Sequence, residues 1–158
     1  VLDHAARGGA VMGVCNGVQI LLETGLLPGV LMQNAGLNYI CRNITVEVCQ
    51  TVASPFTKNL AVGEHLTMPI AHNDGNYFAG KEELARLSDN GQVAFRYVDG
   101  PAHGLANPNG SALDIAGIIS ANGRVMGMMP HPERAISPEL GGSDGATLLQ
   151  GCLEALAS

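Results

Sequence analysis

The 158 residues are 46% hydrophobic and only 14% charged, enough apolar material for one buried core and too much for a disordered chain. Eight basic residues against fourteen acidic ones give a formal charge of −6 with no Lys/Arg cluster. That balance excludes an electrostatic nucleic-acid partner and an anionic membrane surface. Cys15, Cys41, Cys49 and Cys152 form neither a CxxC pair nor a Cys/His zinc spacing, so the sequence predicts no metal site, no disulfide framework and a reducing, cytoplasmic setting. No stretch reads as a signal peptide. The longest uncharged interval, 24–41, is broken by Pro28, Gly29, Gln33, Asn34 and Asn38 and is not a membrane span.

Residues 1–9 read as the last turns of a helix closed by Gly8 and Gly9, and without an initiator methionine the chain is expected to begin inside a longer domain. Residues 10–14 form a short apolar run of the kind found in a parallel strand covered on both faces. A helix over 17–24 follows, with Val18, Leu21 and Leu22 inward, stopped by Gly25 and Pro28. Between strand and helix stands Gly13-Val14-Cys15-Asn16-Gly17, the pattern of a nucleophile elbow with cysteine in the nucleophile position. A sharp strand-to-helix turn strains the central residue and crowds its neighbours, which favours glycine on both sides. It also aims the first unpaired helix N–H groups at the sulfur, where they favour a thiolate or an oxyanion.

Further along, 39–48 reads as a half-buried strand, with Ile44, Val46 and Val48 opposite Asn43, Thr45 and Glu47. Another strand is predicted at 65–70, with Pro69 forcing an edge position, followed by a polar loop over 71–77. A short helix is expected at 81–87 and a strand at 92–97 with Val93, Phe95 and Tyr97 on one face. The interval 99–111 reads as a long loop. Strands at 115–120 and 124–129 flank Ala121-Asn122-Gly123, a hairpin signal. Ser143 can cap a final helix over 144–157, with Leu149, Cys152, Leu153 and Leu156 at core spacing. Cys41, Cys49 and Cys152 read as core or half-buried, Met126, Met128 and Met129 as core filling, and His4, His65 and His103 as surface histidines. His72 is open between an interface loop and a structural role.

The second hairpin strand runs into Pro130-His131-Pro132-Glu133-Arg134. Pro132 disfavours helix at His131, and in an extended chain residues two apart share a side, so Glu133 can reach the His131 imidazole. With Cys15 this makes a Cys–His–carboxylate set: the imidazole activates the thiol and the acid fixes its orientation.

Gly13-Val14-Cys15-Asn16-Gly17-Val18-Gln19 together with Pro130-His131-Pro132-Glu133-Arg134 resembles the class I (triad) glutamine amidotransferases. More narrowly, the chain is similar to the glutaminase subunits of phosphoribosylformylglycinamidine synthases. Gly25-Leu26-Leu27-Pro28-Gly29, Phe95-Arg96-Tyr97, Asp114-Ile115-Ala116-Gly117 and the 127–135 segment carry this narrower likeness, which covers nearly the whole chain.

The resemblance implies a flavodoxin-like, three-layer α/β fold, as one domain over 1–158 that lacks the family's N-terminal strands. It implies catalysis by Cys15, His131 and Glu133. Gln19 and Tyr39 would line the glutamine pocket, and Asn16 would offer an oxyanion N–H. It implies no cofactor on this chain, with ATP and magnesium on a synthase partner that takes up the ammonia, and a small bridging subunit in the same complex. The family's Pro-Gly-Gly loop, which gives a second oxyanion N–H, has no counterpart here, so a fragment of a longer enzyme is expected. His72-Asn73-Asp74-Gly75 also departs from the family's usual His-Gly-Glu-Gly. Two other readings stand beside this one: a different triad amidotransferase, of the anthranilate- or pyridoxal-synthase type, and a non-catalytic interaction subunit.

Overall fold

The computed structural model describes residues 1–101 and 106–156. After a short helix α1 (Leu2–Ala6) come β1 (Val11–Val14), α2 (Asn16–Glu23), β2 (Val30–Met32), β3 (Ile40–Val48), β4 (His65–His72) and β5 (Asn76–Phe78). Then follow α3 (Lys81–Asp89), β6 (Val93–Val98), β7 (Ile115–Ile119), β8 (Val125–Met128) and α4 (Asp144–Leu156).

Six strands make one mixed sheet in the order β1-β8-β7-β6-β3-β4. β1 and β8 are parallel, and the other neighbours are antiparallel. A three-layer arrangement results because the strands are apolar on both faces. On one face Ile44, Val46, Met68, Phe95 and Met126 pack with Leu148 of α4. On the other, Val18 and Leu21 of α2 and Leu87 of α3 pack with Ile118 and Val125. β1 splits between the two, Met12 and Val14 facing the first cluster and Val11 the second, as a period of two requires.

The inward face of α2 is Val18, Leu21 and Leu22, as the periodicity predicts. β7 and β8 form the expected hairpin, its turn closed by Gly123 N–H on the Ser120 carbonyl at 2.9 Å, with Gly123 at φ +70°. Pro69 sits in β4, the last strand of the sheet, where its missing N–H disturbs no second ladder.

Four expectations change. Val93 does not share a face with Phe95 and Tyr97: a bulge between Val93 and Phe95 shifts the phase, so Val93 joins the α2/α3 side. Leu153 is exposed, not core; Leu148, which is fully buried, sets the inner face of α4. Two strands went unforeseen: β2 and β5 pair antiparallel as a separate small sheet, β2 where no element was expected and β5 at the end of the expected polar loop. Cys49 and Cys152 are half-buried, whereas Cys41 is exposed because it points off the solvent face of β3. His4 and His65 are exposed; His103 and the side chain of Leu156 lie outside the described residues.

Candidate active site

β1 stops at Val14 and α2 begins at Asn16, leaving Cys15 to make the whole turn. Its φ of 53° and ψ of −108° lie outside the regions an L side chain favours, a conformation that costs of order 1–3 kcal/mol and persists only where its surroundings hold it. Here the Cys15 N–H donates to the Met128 carbonyl at 3.0 Å, continuing the β1/β8 ladder, while its carbonyl accepts from Val18 N–H at 3.0 Å. The crowding falls on one glycine only. A Cβ on Gly13 would lie 2.6 Å from the Gly17 carbonyl oxygen and 2.7 Å from Leu21 Cδ1, whereas one on Gly17 meets nothing within 4 Å.

The Cys15 thiol, partly buried, donates to the Ala71 carbonyl at 3.6 Å. Burial pushes its pKa above the ordinary thiol value; the Asn16 backbone N–H and the Arg134 guanidinium oppose that shift, and the Glu133 carboxylate adds to it. Burial wins over the helix terminus. The resting group is therefore a thiol rather than the thiolate expected from the turn alone, and it requires a base.

His131 supplies an imidazole beside the same cavity. Its backbone N–H donates to the Pro69 carbonyl at 2.9 Å, so edge strand β4 fixes where the chain leaves β8. Its side chain is buried, and Nδ1 lies 2.6 Å from Glu133 Oε1. The local backbone is not extended throughout: Pro132–Arg134 is a single 3-10 turn, and this turn, not a strand alternation, brings Glu133 back to the ring. With Nδ1 committed to the carboxylate, Nε2 is buried without a partner among the described residues.

A cavity of about 450 Å³ brings Cys15, Asn16, Gln19, Tyr39 and His131 together, with Glu133 behind His131. Gln19 lines the wall while its amide nitrogen donates to Glu23 Oε1 at 2.8 Å. Tyr39 is well exposed at the rim. Leu31, Ala71, Asn73, Asp74 and Arg134 line the same cavity and were not expected there, and His72 had been left open. His72 proves to be buried, and burial together with the nearby His131 lowers its pKa to about 4, so the ring is neutral at pH 7. The usable signal was the clustering of polar residues around Gly75 in a chain poor in charge. Among the described residues no group of three or more His, Cys, Asp or Glu side chains is placed to hold a metal ion. No described helix is long and apolar enough to cross a membrane.

A strained cysteine between strand and helix, sharing a cavity with a carboxylate-backed histidine, fits acyl transfer through a thioester. Residues 2–140 match the family model of the CobB/CobQ-like glutamine amidotransferase domain. The chain is 52% identical, over its whole length, to the phosphoribosylformylglycinamidine synthase subunit PurQ of Roseobacter denitrificans, covering 68% of that protein. It is 53% identical to PurQ of Rhodospirillum rubrum, with 99% of this chain and 68% of that one aligned. The chain belongs to the PurQ family of glutamine amidotransferases. Its fold agrees: it superposes on a chain of the structure of PurLQS from Thermotoga maritima with a TM-score of 0.83 at 38% identity, covering 98% of this chain and 66% of the other. The chain thus spans about two thirds of the length of the relatives it matches.

Proposed function

We propose that the chain hydrolyses glutamine at Cys15 and hands the ammonia to a synthase subunit that makes phosphoribosylformylglycinamidine in purine biosynthesis. The placement of Cys15 and His131 on one cavity, with Glu133 on the far nitrogen of the ring, is the observation that carries the reading. His131 takes the Cys15 proton on Nε2 as sulfur attacks the glutamine side-chain carbonyl. Glu133 holds the Nδ1–H and stabilises the imidazolium. The Asn16 N–H at the helix start faces the oxygen that becomes negative. When the C–N bond breaks, the imidazolium proton goes to the leaving nitrogen, releasing ammonia and a γ-glutamyl thioester. Water then attacks the thioester carbonyl, His131 accepting its proton; the C–S bond breaks and the proton returns to sulfur.

Gln19 and Tyr39 are assigned to the glutamine-binding walls. The synthase subunit carries the ATP and magnesium chemistry, and a small bridging subunit completes the complex. Free cysteines at four positions favour cytoplasmic assembly. Residues 1–158 are assigned to one glutamine amidotransferase domain. A glutamine-analogue electrophile, diazo-oxo-norleucine, tests the assignment: in the complex it is expected to modify Cys15 alone, with glutamine protecting. Labelling elsewhere, or none, would overturn it.

A further inference from the structure

Two asparagines, Asn34 and Asn109, are completely buried in a chain whose buried residues are otherwise mostly apolar. Both converge on one residue. The Asn34 side-chain oxygen accepts the Gly75 N–H at 3.0 Å, and the Asn109 amide nitrogen donates to the Gly75 carbonyl at 2.8 Å. The two polar groups of the Gly75 backbone are thus held by side chains rather than by a strand ladder.

Asn34 does more. Its oxygen also receives the His72 ring Nδ1 at 3.0 Å, and its amide nitrogen donates to the His72 carbonyl at 2.9 Å and the Asn38 carbonyl at 2.8 Å. Because that oxygen can only accept, His72 carries its proton on Nδ1. Backbone bonds reinforce the arrangement: Asn34 N–H to the Asn73 carbonyl at 2.8 Å, and Ala35 N–H to the Asn109 carbonyl at 3.0 Å. The His72 ring packs on Gly75 so closely that a Cβ there would lie 2.3 Å from Cε1.

What hangs on this clamp is the cavity. His72, Asn73 and Asp74 form one wall, and Tyr39, next to Asn38, belongs to another. One side chain, Asn34, therefore ties both walls, and Asn109 secures the first from behind. Neither asparagine lines the cavity itself. We infer that Asn34 and Asn109 are positioning residues for the glutamine substrate, setting the spacing of the 72–74 wall against the 38–39 wall through Gly75. The inference deepens the glutaminase reading and rests on it. The clamp acts on substrate binding: its bonds end on Asn38, His72 and Gly75, and none ends on Cys15, His131 or Glu133.

The test is steady-state glutaminase kinetics in the assembled complex for Asn34→Ser, Asn109→Ser and Gly75→Ala, together with the rate of Cys15 alkylation by iodoacetamide. The serine variants shorten the reach of each clamp; Gly75→Ala leaves both asparagines intact and displaces the wall through the His72 ring. All three are expected to raise the KM for glutamine about tenfold or more, with kcat within about threefold and alkylation unchanged. Folding failure of the Asn34 variant would leave the other two to decide. An unchanged KM in the variants that fold, or a kcat and alkylation rate that fall together, would overturn the inference. Absence of glutamine hydrolysis in the unsubstituted complex would remove the glutaminase reading and the inference with it.

Discussion

Glu133 Oε1 meets His131 Nδ1 at 2.6 Å across a single 3-10 turn, a charge-assisted distance for a pair only two residues apart in sequence. The carboxylate is about half exposed while the ring is buried, so Glu133 fixes the tautomer from the solvent side and leaves Nε2 for the cavity. Glu133→Gln keeps the shape and removes the charge. It is expected to lower kcat for glutamine hydrolysis by roughly 10²- to 10⁴-fold with little change in KM, measured by steady-state kinetics in the complex. A drop of less than threefold or so would show that the turn, not the charge, matters.

The thiol of Cys15 is pushed above the ordinary value of 9.0 by burial. Without substrate, its alkylation by iodoacetamide is expected to be slow at pH 7 and to climb with an inflection above pH 9. A rate that stays flat down to pH 6 would instead reveal a standing thiolate–imidazolium pair.

His72 gives the fold an acid limb. Its pKa is about 4 in the folded chain against 6.5 in the unfolded one, so the unfolded state binds the proton more readily between those values. Stability is complete above pH 6.5 and falls as the pH drops towards 4, by up to about 3 kcal/mol from this ring. His72→Gln is expected to flatten that part of a urea-midpoint profile against pH, whatever it does to stability at pH 7.

The elbow makes two neighbouring glycines unequal. Gly13→Ala drives a methyl into the Gly17 carbonyl and Leu21, and is expected to cost about 1–3 kcal/mol and to displace Cys15. Gly17→Ala meets open space on a helix and is expected to be neutral or to stabilise by up to about 1 kcal/mol. Thermal melts and glutaminase assays of the two variants check the contrast.

Much of this was legible from the residues. The elbow, the inward face of α2 and the β7–β8 hairpin follow from periods and turn residues that act over a few positions; the His131–Glu133 pairing was expected from an extended chain but is made by a 3-10 turn. What escaped depends on distant partners. β2 and β5 have three residues each, too few to show a period, and exist because they pair with one another. The bulge that reassigns Val93 shows only in the pairing of β6 with β7, where Val93 to Phe95 spans two residues against one from Ile118 to Gly117. Leu153 sits five positions past Leu148, about 140° round the helix, and the apolar pattern of α4 alone did not fix which stripe faces the sheet. Asn34 and Asn109 looked like loop residues because their bonds run to Gly75, far away in sequence. His72 became part of the cavity for the same reason.

The central claim is that Cys15 liberates ammonia for a separate synthase site, and Cys15→Ala in the assembled complex tests it most directly. Amidine formation should be lost with glutamine as the nitrogen source and kept, at the unsubstituted rate, with ammonium salts. Equal loss from both nitrogen sources, or undiminished use of glutamine, would contradict the account.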